Sequence, residues 1–181
     1  PVAAINFFYS FIYGGLAVLV PLYLVERKAS LEEIGFVFAV WPVVFLFARM
    51  ALAAIADDAG TALVFKLNGV FSFLTALAYS LASTPPGFAA GKAFEGMNSS
   101  AFWAVARTDA SRERGAKKAG DAVVLLSGIR GIADFAGRVG IGLAIAYFSF
   151  QNSLFGLLGL SALIAVIAGT IGNHGKKKIT G

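Results

Sequence analysis

The chain has 181 residues, of which 58% are hydrophobic, with a mean hydropathy of +0.78, no cysteine and a formal net charge of +5. That apolar share exceeds the ~45–50% of ordinary soluble domains. The lack of cysteine excludes disulfides and thiolate zinc sites, and the positive balance does not indicate nucleic acid, because Lys and Arg gather in short segments between apolar runs.

A bilayer span needs roughly 20 mostly apolar residues, and six such segments fit the chain: 2–24, 31–56, 62–81, 88–105, 122–147 and 153–172. The first ends near Pro21, where a lost backbone hydrogen bond is tolerable. Asn6, Tyr9, Ser10 and Tyr13 recur along it at helical spacing, a polar stripe that predicts a cavity or a helix contact. Glu26, Arg27 and Lys28 form a short polar loop. Ser30 with Glu33 then reads as a capping box opening the second helix, with Trp41 and Pro42 in mid-span. Asp57, Asp58 and Gly60 predict a tight turn into the third span, whose only strongly polar residues near the inner end are Lys66 and Asn68. Ser83 to Gly87 break that span. The fourth carries Lys92, Glu95, Asn98, Ser99 and Phe102.

The charged island Asp109–Asp121 follows, with Arg112, Arg114, Lys117 and Lys118. Basic loops stay on the cytoplasmic side. With this island inside, the tail lysines Lys176, Lys177 and Lys178 are inside as well, Arg49 lies toward the same face, and the opposite loops keep only Arg27 and Lys28. Both termini are therefore expected in the cytoplasm, with 1–175 a transmembrane bundle and 176–181 a basic tail. No signal peptide is expected, because the first segment lacks a basic start and a small-residue cleavage site. The fold class is all-α, a polytopic membrane protein. The runs are too long, and too little alternating, for a membrane barrel.

Charges within spans are expensive and normally face a partner or a wet cavity. Arg130, Asp134 and Arg138 in the fifth span share one helical face at a spacing of four. At a rise of about 1.5 Å per residue they overlap in depth with Lys92 and Glu95. That predicts Glu95 pairing with Arg138, and Lys92 with Asp134, across neighbouring helices. The bland reading of the same charges is an ion-pair lock between two helices. Gly128, Gly131, Gly137, Gly140 and Gly142 in the same span predict close helix approach. The third and sixth spans read as lipid-facing supports. His174 is the only histidine, no nucleophile–base pair or metal cluster stands out, and neither an enzyme nor a cofactor is expected.

Three places carry a family likeness. Ala53 to Thr61 is similar to the loop motif G-x-x-x-D-R/K-x-G-R, with Asp57 and Gly60 at matching positions, and with Ala53, Asp58 and Thr61 departing from it. Lys92-Ala93-Phe94-Glu95-Gly96 is similar to R-x-x-Q-G, with Lys for Arg and Glu for Gln. Asp109 and Arg114-Gly115 resemble an acidic residue and an R-G pair in the following loop. In order and spacing these resemble the amino-terminal six-helix half of a major facilitator superfamily transporter. The resemblance implies three-plus-three helix repeats, a second six-helix half in the same chain or another subunit, and alternating-access transport of a small solute in the cell membrane, coupled to ions or protons. It also implies that the first, second, fourth and fifth helices face the cavity or the other half, with the third and sixth peripheral. The pathway set on this reading is Tyr9, Tyr13, Lys92, Glu95, Asn98, Arg130, Asp134 and Arg138. The excess of Lys92, Arg130 and Arg138 over two acids favours an anionic solute. The alternative is a membrane assembly protein without transport, which needs only packed helices and satisfied charges.

Overall fold

In the computed structural model the described residues are 2–114 and 119–170, and among these the side chains of 2, 105–114, 119 and 122 are left undescribed. The described residues form six α-helices: α1 (Val2–Glu26), α2 (Leu31–Ala59), α3 (Thr61–Leu81), α4 (Pro85–Arg114), α5 (Ala119–Tyr147) and α6 (Phe150–Gly169). Four of them, α1, α2, α3 and α6, are long and apolar enough to cross a membrane. The other two, α4 and α5, are at least as long and carry Lys92, Glu95, Arg130, Asp134 and Arg138. Apolar side chains also cover much of the outside: Phe47 is 67% exposed, Met50 69%, Ile132 70% and Val166 66%. A water-soluble monomer rarely leaves that much contiguous apolar surface bare, whereas lipid covers it.

Local chemistry sets the helix ends. Ser30 accepts from the Glu33 N–H while the Glu33 carboxylate accepts from the Ser30 N–H, so the expected capping box closes. Ser149 caps α6 without the reciprocal bond, its hydroxyl accepting from the Asn152 N–H. Two expected breaks fall elsewhere. Asp57 and Asp58 belong to the last turn of α2, and the chain reverses at Gly60 alone, whose φ of 93° suits a residue without Cβ. The helix following the Pro85-Pro86 pair continues through Arg114, so the first part of the basic island is helical rather than a loop. Proline at a first helical position lacks only an N–H that would go unpaired there anyway.

The helices pack in a definite order. α1 lies along α5, α2 along α4, and α3 between α4 and α6, with α6 closing back onto α1. At one end Arg27 donates to the Tyr23 hydroxyl, Tyr23 donates to Gln151 Oε1 at 3.0 Å, and Gln151 Nε2 donates to the Ser80 carbonyl at 2.6 Å. The C-terminal ends of α1 and α3 therefore meet the N-terminal end of α6. The α1–α5 crossing is backbone to backbone: a Cβ on Gly14 would fall onto the Asp134 carbonyl, and one on Gly137 onto the Phe11 carbonyl. Of the five α5 glycines expected to permit close approach, Gly137 does so and Gly140 meets the Phe11 ring, whereas Gly128, Gly131 and Gly142 face open space. One helix has a single close-packed stripe, and these three lie off it.

α3 corrects a further expectation. Its row Asn68, Ser72, Thr75 and Tyr79 is buried. Asn68 Nδ2 donates to the Asn98 carbonyl at 3.0 Å and to its side-chain oxygen, so α3 is a polar seam against α4 as well as an outer support. Of the four long apolar helices α2 is the most exposed, with 11% of its most apolar stretch buried against 44% for α3.

Candidate functional site

Four helices wall a cavity of about 300 Å³. α1 contributes Tyr9 and Tyr13, α2 contributes Trp41, Phe45 and Arg49, α4 contributes Trp103, and α5 contributes Arg130. The α2 residues are four apart, so one stripe of that helix faces inward. Trp41 stacks on Phe45 with ring centroids 5.1 Å apart and planes 13° from parallel, and lies 6.3 Å from the Tyr13 ring. The Tyr9 ring stacks on Phe102 at 4.8 Å, and its hydroxyl donates to Ser99 Oγ at 2.8 Å. The Arg130 guanidinium sits 4.7 Å from the centre of the Trp103 ring, and that of Arg49 5.6 Å from Phe45. Such contacts contribute about 0.5–2 kcal/mol and hold the guanidinium near the ring. Among the described residues, neither Arg49 nor Arg130 has a carboxylate within ion-pairing distance.

The charged residues separate into two groups. Lys92 and Glu95 are each 4% exposed. Lys92 Nζ donates to Glu95 Oε2 at 2.8 Å and lies 4.5 Å from the Phe38 ring centre, and the Tyr79 hydroxyl donates to the same carboxylate oxygen at 2.6 Å. This cluster faces α2 and α3. Asp134 and Arg138 pair on α5, with Nε to Oδ2 at 2.9 Å and side chains 27% and 48% exposed. They share the helical stripe of Arg130, which lines the cavity.

The cross-helix pairing expected from depth is therefore not formed. Glu95 pairs with Lys92 and Asp134 with Arg138, each within its own helix. Residues three or four apart on one helix are already neighbours, ~5–6 Å between Cβ atoms, whereas the face of α4 that carries Lys92 and Glu95 is turned away from α5. Asn98 is held by Asn68 in the α3–α4 seam. Of the eight expected pathway residues, Tyr9, Tyr13 and Arg130 line the cavity, while Lys92, Glu95 and Asn98 form helix-to-helix structure. In the loop motif Asp57 is exposed and Gly60 makes the α2–α3 reversal, its N–H donating to the Ala56 carbonyl at 3.0 Å. The side chains of Asp109 and Arg114, Gly115, and the basic tail from residue 171 onward lie outside the described residues.

Sequence reasoning missed Trp41, Phe45 and Trp103 as cavity walls and Tyr79 as a Glu95 partner. Trp41, Phe45 and Arg49 recur every fourth residue, a stripe that carried the signal. Trp41 also sits in mid-span, away from the interfaces where membrane tryptophans usually lie. Tyr79 sent no signal, because its partner is on another helix.

The protein-family models and the curated proteins compared with this chain contain no match to it.

Proposed function

We propose that the chain is the amino-terminal half of a transporter resembling the major facilitator superfamily, and that it moves a small solute by alternating access. A second six-helix half, in the same chain or another subunit, would face the open side of the bundle. The observation that carries this reading is the cavity walled by α1, α2, α4 and α5 while α3 and α6 close the back. A chemically furnished hollow at the contact of two halves is where a rocking transporter holds its solute. All six helices then span the cell membrane. The shared end of α1, α3 and α6 supports alternating helix directions, and on this reading both termini lie in the cytoplasm together with the basic island.

Ion or proton coupling falls to Asp134 on this reading, because it is the partly exposed acid on the stripe of Arg130. Replacing Asp134 by Asn in the full transporter is expected to cut pH-gradient-driven uptake into proteoliposomes at least tenfold while leaving the protein folded. Uptake equal to that of the parent would remove this carboxylate from the mechanism. The assembly-protein alternative draws on the buried Lys92–Glu95–Tyr79 cluster, which is fully engaged in holding helices together. Saturable flux through the purified protein rejects it.

A further inference from the structure

We infer that the cavity binds an organic anion with a flat unsaturated body, an aromatic carboxylate in the simplest case, held by Arg130 and clasped by aromatic walls. The inference deepens the transporter reading and rests on it only in treating this cavity as a solute site.

Three observations converge. First, the charge in the wall has one sign: Arg49 and Arg130 line the cavity and no acid does. The acids within the α4 and α5 segments that wall the cavity are already paired, Glu95 to Lys92 and Asp134 to Arg138. Second, Arg130 is presented rather than buried in a pair. Its guanidinium carbon sits 4.7 Å from the Trp103 ring centre, and a guanidinium held over a ring can still turn an N–H edge to grip a carboxylate with two parallel bonds. Third, a hydrogen-bond donor in the wall has nothing to donate to. Trp41 Nε1 is buried and unpartnered, one of three such side-chain atoms among the described residues; the other two, Asn68 Oδ1 and Ser72 Oγ, are in α3 and away from the cavity. A buried unpaired donor is costly, and a turn of the indole that brings Nε1 to an acceptor on a bound molecule removes that cost.

The shape of the wall selects the rest of the molecule. The stacked Trp41–Phe45 pair and the Tyr9 and Tyr13 rings offer flat π faces, which favour a flat partner in offset or edge-on contact. The same faces would also attract a cation, but two guanidinium groups repel one. The volume of about 300 Å³ is at the small end of ligand pockets, which suits a single ring with its carboxylate.

Both tryptophans of the chain, Trp41 and Trp103, line this cavity, so intrinsic fluorescence reports on it directly. The test titrates the purified chain in lipid nanodiscs with benzoate, acetate, cyclohexanecarboxylate and benzylammonium. Benzoate is expected to give a saturable change in tryptophan emission, acetate and cyclohexanecarboxylate to bind at least tenfold more weakly, and benzylammonium to give no saturable change. Arg130→Gln is expected to weaken benzoate at least tenfold and Arg130→Lys by an intermediate factor. Lys66→Gln, on the exposed side of α3, is expected to leave it unchanged, with far-UV circular dichroism confirming that each variant is folded. Benzylammonium binding as well as benzoate, cyclohexanecarboxylate matching benzoate, an unaltered Arg130→Gln titration, or the absence of a saturable benzoate signal would each overturn the inference. Binding to nanodisc-held protein requires no turnover, so these outcomes are separable from a failed uptake assay, which bears on transport alone.

Discussion

Replacing Lys92 by Met lowers the apparent thermal midpoint of the detergent-solubilised protein by roughly 10 °C, and the double variant Lys92→Met/Glu95→Leu recovers most of that loss. The single change leaves the Glu95 carboxylate, 4% exposed, with only the Tyr79 hydroxyl to answer its charge. Breaking a buried ion pair from one side costs about 3–5 kcal/mol, whereas replacing both partners by apolar groups of similar size is near neutral or stabilising. In a chain of this size about 1 kcal/mol moves the midpoint by roughly 2–4 °C. Both variants, with Glu95→Leu alone, complete a double-mutant cycle that isolates the pair. A double variant as unstable as Lys92→Met would show that Lys92 acts through its contact with Phe38 rather than through the ion pair with Glu95.

The second large effect lies at the α1–α5 crossing. Gly137→Ala is expected to destabilise the bundle by about 3 kcal/mol, the upper end for an overpacked site. The added methyl meets the Phe11 carbonyl, and peptide backbone cannot swing aside as a side chain can. Gly14→Ala should behave alike against the Asp134 carbonyl. Gly15→Ala, whose nearest neighbours would be at 3.6 Å, and Gly131→Ala, with nothing within 4 Å, are expected to be tolerated. The set is read by thermal unfolding in one detergent. Equal destabilisation by all four alanines would mean that the cost arises along each helix and not at the crossing.

The helices themselves were legible because each apolar run is long and some boundaries carry their own chemistry, Ser30 with Glu33 and Gly60, although α6 begins at Phe150 behind its Ser149 cap and not at the expected 153. The same-face relation of Arg130, Asp134 and Arg138 was legible too, because spacing within one helix is fixed by its pitch. Partners across helices were not. Depth along the membrane is a single coordinate, and it leaves the rotation of each helix about its axis open. Rotation is set at contacts such as Gly14 on Asp134 and Gly137 on Phe11, where two glycine positions, distant in the chain, must coincide. Glu95 therefore turned toward Tyr79 of α3 rather than toward Arg138 of α5. The aromatic wall stayed hidden for a related reason. In a chain with 17 phenylalanines, a ring at any one position carries little information until the helix face is known.

The absence of native cysteine makes one measurement especially direct. Single cysteines placed by Tyr13→Cys and Phe45→Cys in the cavity wall, and by Val70→Cys and Val166→Cys on the outer faces of α3 and α6, are treated in lipid vesicles with a membrane-impermeant maleimide. The account requires the two wall positions to label, and to be slowed by benzoate, while the two outer positions stay unreacted beneath lipid. Rapid labelling at Val70→Cys and Val166→Cys, with Tyr13→Cys and Phe45→Cys inert, would mean that the bundle faces its surroundings the other way round.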